Sequence, residues 1–199
     1  MVKAVDIEGL IKKYVEENSF ERADALYLLA LTDRRTAASV LRIRYGLSGP
    51  LSSVLDDLKA LGVTELYEET GDTKEDVRDV IKDAFIRLCL GKIRDFARKN
   101  AAALSRAAKG LLYIISRIRP KNSLNIDRLL DLYNFLFQEK IDRITLEKHL
   151  EELVKCYVIS YISSSYIYFP PYLDELLQEL EGFSPHVEVK ISWPVEKNL

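Results

Sequence analysis

Apolar side chains recur every three to four positions over most of this chain, the spacing that puts them on one face of a helix. In residues 6–17, Ile7, Leu10, Ile11 and Tyr14 share such a face. A second helix is expected from Ser19, as N-cap, to Leu31, with Thr32 and Asp33 breaking the pattern behind it. Residues 35–47 follow as a helix closed by Gly46. Ser48-Gly49-Pro50 then opens a helix over 51–61 that Gly62 stops, since proline suits a first helical position and glycine the left-handed residue past the end. The longest helix is expected over 74–99, capped by Asp72 or Thr73. Further helices are expected over 103–118, ended by Pro120, over 124–140, over 145–155 after a turn at 141–143, and over 172–182, closed by Gly182. Alternation of period two marks strands at 63–68 and on either side of the Ser163–Ser165 turn, where 156–162 and 166–169 read as a hairpin. It returns at Val187, Val189, Ile191 and Trp193 as a strand or arm.

Two stretches share one order of elements: helix, tight turn, helix, strand. The first, YGLSGPLSSVLDDLKALGV, resembles the helix-turn-helix of winged-helix proteins, with a Gly-Leu-Ser turn before a helix ending Leu-x-x-Leu-Gly-Val. The second, residues 126–169, resembles the same family through its wing-like hairpin more than its turn. The expected fold is therefore mainly α, with two helix-turn-helix-like units, the second carrying a β-hairpin wing, joined by a long amphipathic helix. Residues 1–71 would form the first unit, 72–100 the linking helix, 101–183 the second unit and 184–199 the terminal arm. A fainter similarity to the helical domain of GINS replication proteins rests on Arg87, Lys92 and Ile93 of IRLCLGKIRDFARK, followed by the LYNFLF helix. It implies a subunit that assembles other proteins, without catalysis.

Charge sharpens this picture. The chain's net charge is −2, yet residues 84–121 hold ten Lys or Arg against the single acid Asp95. Charge sorted this way makes a basic face that a polyanion or an acidic partner would grip. On the 74–99 helix, Phe85, Ile86, Cys89, Ile93, Phe96 and Ala97 fill one arc, while Arg87, Arg94 and Arg98 cluster opposite with Lys92 and Lys99 beside them. Part of that sorting is ordinary, because acids favour a helix start and bases its end. The candidate contacts to a nucleic-acid backbone are Arg34, Arg35, Arg42, Arg44, Arg87, Arg94, Arg98, Lys99, Arg106, Lys109, Arg117, Arg119 and Lys121. The bland alternative is a solvated face whose long stems lie over the core or pair with acids elsewhere.

The recognition-like helices point away from sequence readout. Residues 51–61 carry Asp56 and Asp57 with Lys59, and no Arg, Asn or Gln to read a base edge. Residues 145–155 set Glu147, Glu151 and Glu152 against Lys148 and Lys155. Tyr161, Tyr166, Tyr168 and Trp193 are candidate interface residues, since tyrosines on a hairpin form cross-strand and partner surface. The class read from this is a non-catalytic protein associated with double-stranded DNA through its backbone. The rival is a protein-interaction scaffold that docks other chains or a second copy.

No enzyme motif emerges: GLSGPLSS matches neither a phosphate loop nor a nucleophile elbow. His149 and His186 lack the companions a metal site needs, and no cofactor is expected. Cys89 and Cys156 read as reduced thiols. The apolar runs are too short to span a bilayer and residues 1–20 lack a signal-peptide core, so a cytoplasmic protein without a membrane partner is expected. Scarce Gln and Met beside abundant Ile, Leu, Arg and Glu lean towards a heat-adapted composition.

Overall fold

The fold is that of a computed structural model, which describes residues 4–46, 49–63, 75–118, 123–163 and 166–178. It is mainly helical, with one small antiparallel sheet. The helices are α1 (Ala4–Glu16), α2 (Phe20–Leu31), α3 (Arg34–Tyr45), α4 (Gly49–Ala60), α5 (Glu75–Ala101) and α6 (Arg106–Ile118). Strand β1 (Ser123–Asn125) precedes α7 (Ile126–Phe137) and α8 (Arg143–Lys155). Strands β2 (Ser160–Ser163) and β3 (Tyr166–Tyr168) come next, then α9 (Leu173–Gln178).

The expected helices all appear, and their ends follow local chemistry. Asp33 caps α3 through the Thr36 amide at 2.9 Å, and Asp142 caps α8 through the Thr145 amide at 2.8 Å. That starts α8 two residues before the expected Thr145. The first turn of α7 departs further from expectation. Asn125 accepts the Asp127 amide at 2.9 Å and the Arg128 amide at 3.3 Å, so the helix begins at Ile126. Residues 123–125, expected to begin inside or just before a helix, instead form β1 and pair antiparallel with β3, Leu124 opposite Ile167. β3 is thus the central strand, between β1 and β2. At the other end α7 stops at Phe137, with Gln138 left-handed, three residues short of the expected end.

Of the strand expected at 63–68 only Val63 is described, buried and outside any strand; residues 64–68, the Asp72 or Thr73 cap, the Gly182 stop and the arm at 186–193 lie outside the described residues. So do Arg119, Lys121 and Trp193.

Helix α5 does not behave as a linker. It packs chiefly on α2 and α1, and Val77, Ile81, Ala84, Phe85, Cys89, Ile93 and Ala97 are all buried. The Phe85 ring stacks on Tyr27 of α2 at 4.1 Å between centroids. Further along, α5 meets α9, and α6 packs on α7, α8 and α9. The buried side chains of both halves form one continuous cluster, so the described units share a core rather than hanging from a connecting rod. Gly110 of α6 lets the Phe137 ring of α7 approach closely, since a Cβ there would lie 2.7 Å from the ring and require it to shift.

Asn125 joins the sheet to α7, so its cap is a sensitive point. Asn125→Ala is expected to lower the free energy of unfolding by about 1 kcal/mol, and Asn125→Asp to retain most of it, measured by chemical denaturation.

Candidate functional site

The expected basic residues do not share one environment. Arg44, at the end of α3, is buried, with a side chain only 6% exposed, facing Asp24 of α2 at 2%. One terminal nitrogen donates to both Asp24 oxygens at 2.8 Å. The Nε donates to the Val154 carbonyl at 3.0 Å and the other terminal nitrogen to the Ile159 carbonyl at 3.1 Å. Burial opposes the charge, but the Asp24 carboxylate outweighs it and holds the guanidinium protonated. Arg44 is therefore removed from the candidate phosphate contacts: it ties α2 and α3 to the end of α8 and the approach to β2. Sequence alone gives an exposed and a buried arginine the same letter, and the signal that separates them is the acid at Asp24, twenty residues earlier at the start of the apolar run of α2.

On α5, Arg87 is 61% exposed and donates to Glu8 of α1 at 2.6 Å. Arg94 lies 3.5 Å from Asp95 and 3.5 Å from Glu175 of α9. Both are thus partly neutralised by neighbouring carboxylates. Lys109 donates to the Ala102 carbonyl at 2.9 Å, and Arg117 lies over the Tyr113 ring at 5.2 Å. Arg34, Arg35, Arg42, Arg98, Lys99 and Arg106 are exposed. The clustered α5 patch therefore includes Arg87 and Arg94, each beside a carboxylate of another helix, and the exposed Arg98 and Lys99 at the C-terminal end.

Other expectations are also redistributed. Glu152 of α8 accepts from the Ser105 amide and hydroxyl at 2.6 Å each, and the Ser105 hydroxyl accepts the Ala108 amide at 3.2 Å, so this acid anchors the cap of α6 from across the fold. Tyr168 is half-buried with its hydroxyl 3.4 Å from that of Tyr27, joining the sheet to α2. Tyr161 and Tyr166 lie in the paired strands β2 and β3. Cys89 is buried, which lifts its thiol to about 11, and Cys156 is half-buried; neither forms a disulfide. Among the described residues no three His, Cys, Asp or Glu converge as a metal site would require, and no described helix is long and apolar enough to cross a membrane.

A cleft of about 490 Å³ lies between α2, α3, α5 and the end of α8. Phe20, Tyr45, Ile93, Phe96 and Tyr157 supply its apolar walls. Lys92, Phe96 and Asn100 line it from α5, each four residues from the last and so on one stripe of that helix. Phe96, expected within the apolar arc, is 49% exposed because it faces this cleft rather than the core. Its ring meets Tyr157 edge-on, at 5.4 Å and 87°.

Tyr157 is the least ordinary residue in the cleft. Helix α8 ends with the Tyr157 amide on the Val154 carbonyl at 3.1 Å and the Val158 amide on the Leu153 carbonyl at 2.9 Å. That pattern requires a left-handed residue, normally glycine, at the position Tyr157 holds with φ of 62°. Helix α4 makes the same ending with Gly62, at φ of 73°. Placing a tyrosine there costs on the order of 1 kcal/mol of backbone energy, so contacts of the ring must offset it. Those contacts are visible: the Arg44 guanidinium lies 4.4 Å from the ring centroid, Phe96 meets its edge, and its hydroxyl hydrogen-bonds that of Tyr45.

No family model matches the chain, and no curated protein or solved structure is significantly similar to it.

Breaking the buried pair isolates a charge. Asp24→Leu and Arg44→Met are each expected to cost about 3–5 kcal/mol, and the double change Asp24→Leu/Arg44→Met less than their sum, measured as a thermodynamic cycle. Additive losses would show that the two side chains do not act as a unit.

Proposed function

We propose that the chain is a non-catalytic adaptor whose second half is a winged-helix unit that docks a protein partner. The order α6, β1, α7, α8, β2, β3, with β3 between the other two strands, supports the winged-helix reading of residues 106–168. In that reading α7 and α8 are the helix-turn-helix, and β2–β3 the wing. The Asn134 side chain brackets Ile141 in the turn, donating to its carbonyl at 3.0 Å and accepting from its amide at 2.9 Å. That fixes the geometry in which α7 hands over to α8.

One observation favours protein over DNA as partner. The helix pair exposes Phe135, 69% accessible, and Ile144, 65% accessible, near the end of α7 and the start of α8. Large apolar side chains left in water at the position that would read a groove suit a protein contact. The helix that would be the reader balances Arg143, Lys148 and Lys155 with Glu147, Glu151 and Glu152, and Arg143 is already paired with Glu147 at 2.9 Å and Asp127 at 3.1 Å. A strongly anionic duplex would gain little there. Phe135→Asp/Ile144→Asp is expected to abolish self-association in sedimentation velocity, or capture of a partner from a lysate of the source organism, with an unchanged melting temperature. Identical behaviour of the variant in both assays would sink the adaptor reading.

A second reading rests on the exposed cations Arg34, Arg35 and Arg42 of α3 and Arg98, Lys99 and Arg106 around the α5–α6 turn. These would contact a DNA backbone without reading sequence. If about five engage phosphates, log affinity falls against log salt with a slope of roughly −4 to −5. Fluorescence anisotropy with duplex DNA checks this, and Arg34→Glu/Arg35→Glu/Arg98→Glu/Lys99→Glu should flatten the slope. A slope near zero in the wild type removes this reading.

A further inference from the structure

We infer that the cleft between α3, α5 and the end of α8 binds a small monoanion: an aromatic or compact apolar body carrying one carboxylate. Its volume of about 490 Å³ falls within the range of small-molecule pockets, and apolar walls with a few convergent polar groups are what such pockets present. The ligand's body is set by the walls. Phe20, Tyr45, Phe96 and Tyr157 offer ring surface, and Phe96 in particular is half in water, a cost that a ligand ring would relieve.

The ligand's charge follows from the ends of the cleft. Lys92 and Lys155 line it and, among the described residues, no carboxylate does, while the charge of Arg44 is already spent on Asp24. Helices α3, α5 and α8 end here, at Tyr45, Asn100–Ala101 and Lys155–Cys156, and α2 begins here at Phe20; each C-terminus acts as about −0.5 of a charge and the N-terminus as about +0.5. Two lysines and one helix start against three helix ends leave roughly +1, which one carboxylate balances. A phosphate monoester, at about −1.5 to −2, exceeds that balance, and the one described guanidinium at the cleft, Arg44, is already engaged by Asp24. A cation fits worse, because both lysines repel it. The ring faces it would seek are also taken, with the Lys92 Nζ 5.0 Å from the Phe20 centroid and Arg44 over Tyr157.

The experiment holds the apolar body constant and varies the charge. Indole-3-acetate, indole-3-acetamide and tryptamine are titrated into the full chain at neutral pH and followed by NMR chemical-shift changes. The acid should bind about tenfold tighter than the amide, or about 1.4 kcal/mol, and tryptamine weakest. Lys92→Gln/Lys155→Gln should erase the preference for the acid while leaving amide binding in place. Phe96→Ala should weaken acid and amide alike, and circular dichroism checks that both variants fold. Equal affinity for acid and amide, tighter binding of tryptamine, a preference that survives loss of both lysines, or no binding of any of the three at millimolar concentration would each overturn the proposal.

Discussion

The contact on which the rest of this molecule depends is the buried pair of Asp24 and Arg44. It places two full charges out of water, which is expensive, and the structure meets that cost by leaving no part of the guanidinium idle. Each of its three nitrogens has an acceptor, and Asp24 additionally receives the Tyr45 hydroxyl at 3.1 Å. The acceptors come from α2, from the last turn of α8 and from Ile159 just before β2. A single side chain therefore fixes how the N-terminal helices sit against the C-terminal unit. Hydrophobic contact would hold these parts together without specifying their orientation, whereas directional bonds to named carbonyls do specify it.

The cleft is a by-product of that arrangement. Arg44 reaches under Tyr157, and the ring is held outward by a left-handed backbone that glycine would adopt more cheaply. Phe96 and Lys92 approach from α5, the helix carrying the chain's charge asymmetry. The basic stretch is thus not one surface. Some of its members answer acids on α1 and α9, Lys92 borders a cavity, and Arg98, Lys99 and Arg106 lie exposed around the α5–α6 turn. Formal charge per segment overstates the field such a stretch projects, because neighbours in space that are distant in sequence partly cancel it.

How much of this was legible beforehand differs by feature. Helix existence was read directly, because the three-to-four-residue apolar spacing repeats over whole segments, and the buried set of α1, Ile7, Leu10, Ile11 and Tyr14, is the one that spacing picks out. Stops such as Gly62 were equally local. Strand β1 was not legible: three residues have no measurable period, and Ser123–Asn125 is extended because β3 stands beside it. Phe96 was misplaced because a helical arc gives direction but not what lies in that direction. Tyr157 was hidden because nothing in a tyrosine announces a left-handed backbone.

By itself, then, the sequence determined a mainly helical chain, the position of its hairpin, the faces its helices bury and the uneven placement of its charge. Each of these depends on spacing along the chain, which sequence records completely. Tertiary structure decided that Arg44 is interior, that Glu152 anchors the cap of a distant helix, that α5 is core rather than connector, and that four rings and two lysines enclose a cleft. Those outcomes depend on which residues meet across tens of positions. A charge or a ring takes its role from the partner and dielectric it finds there, and no local pattern encodes either.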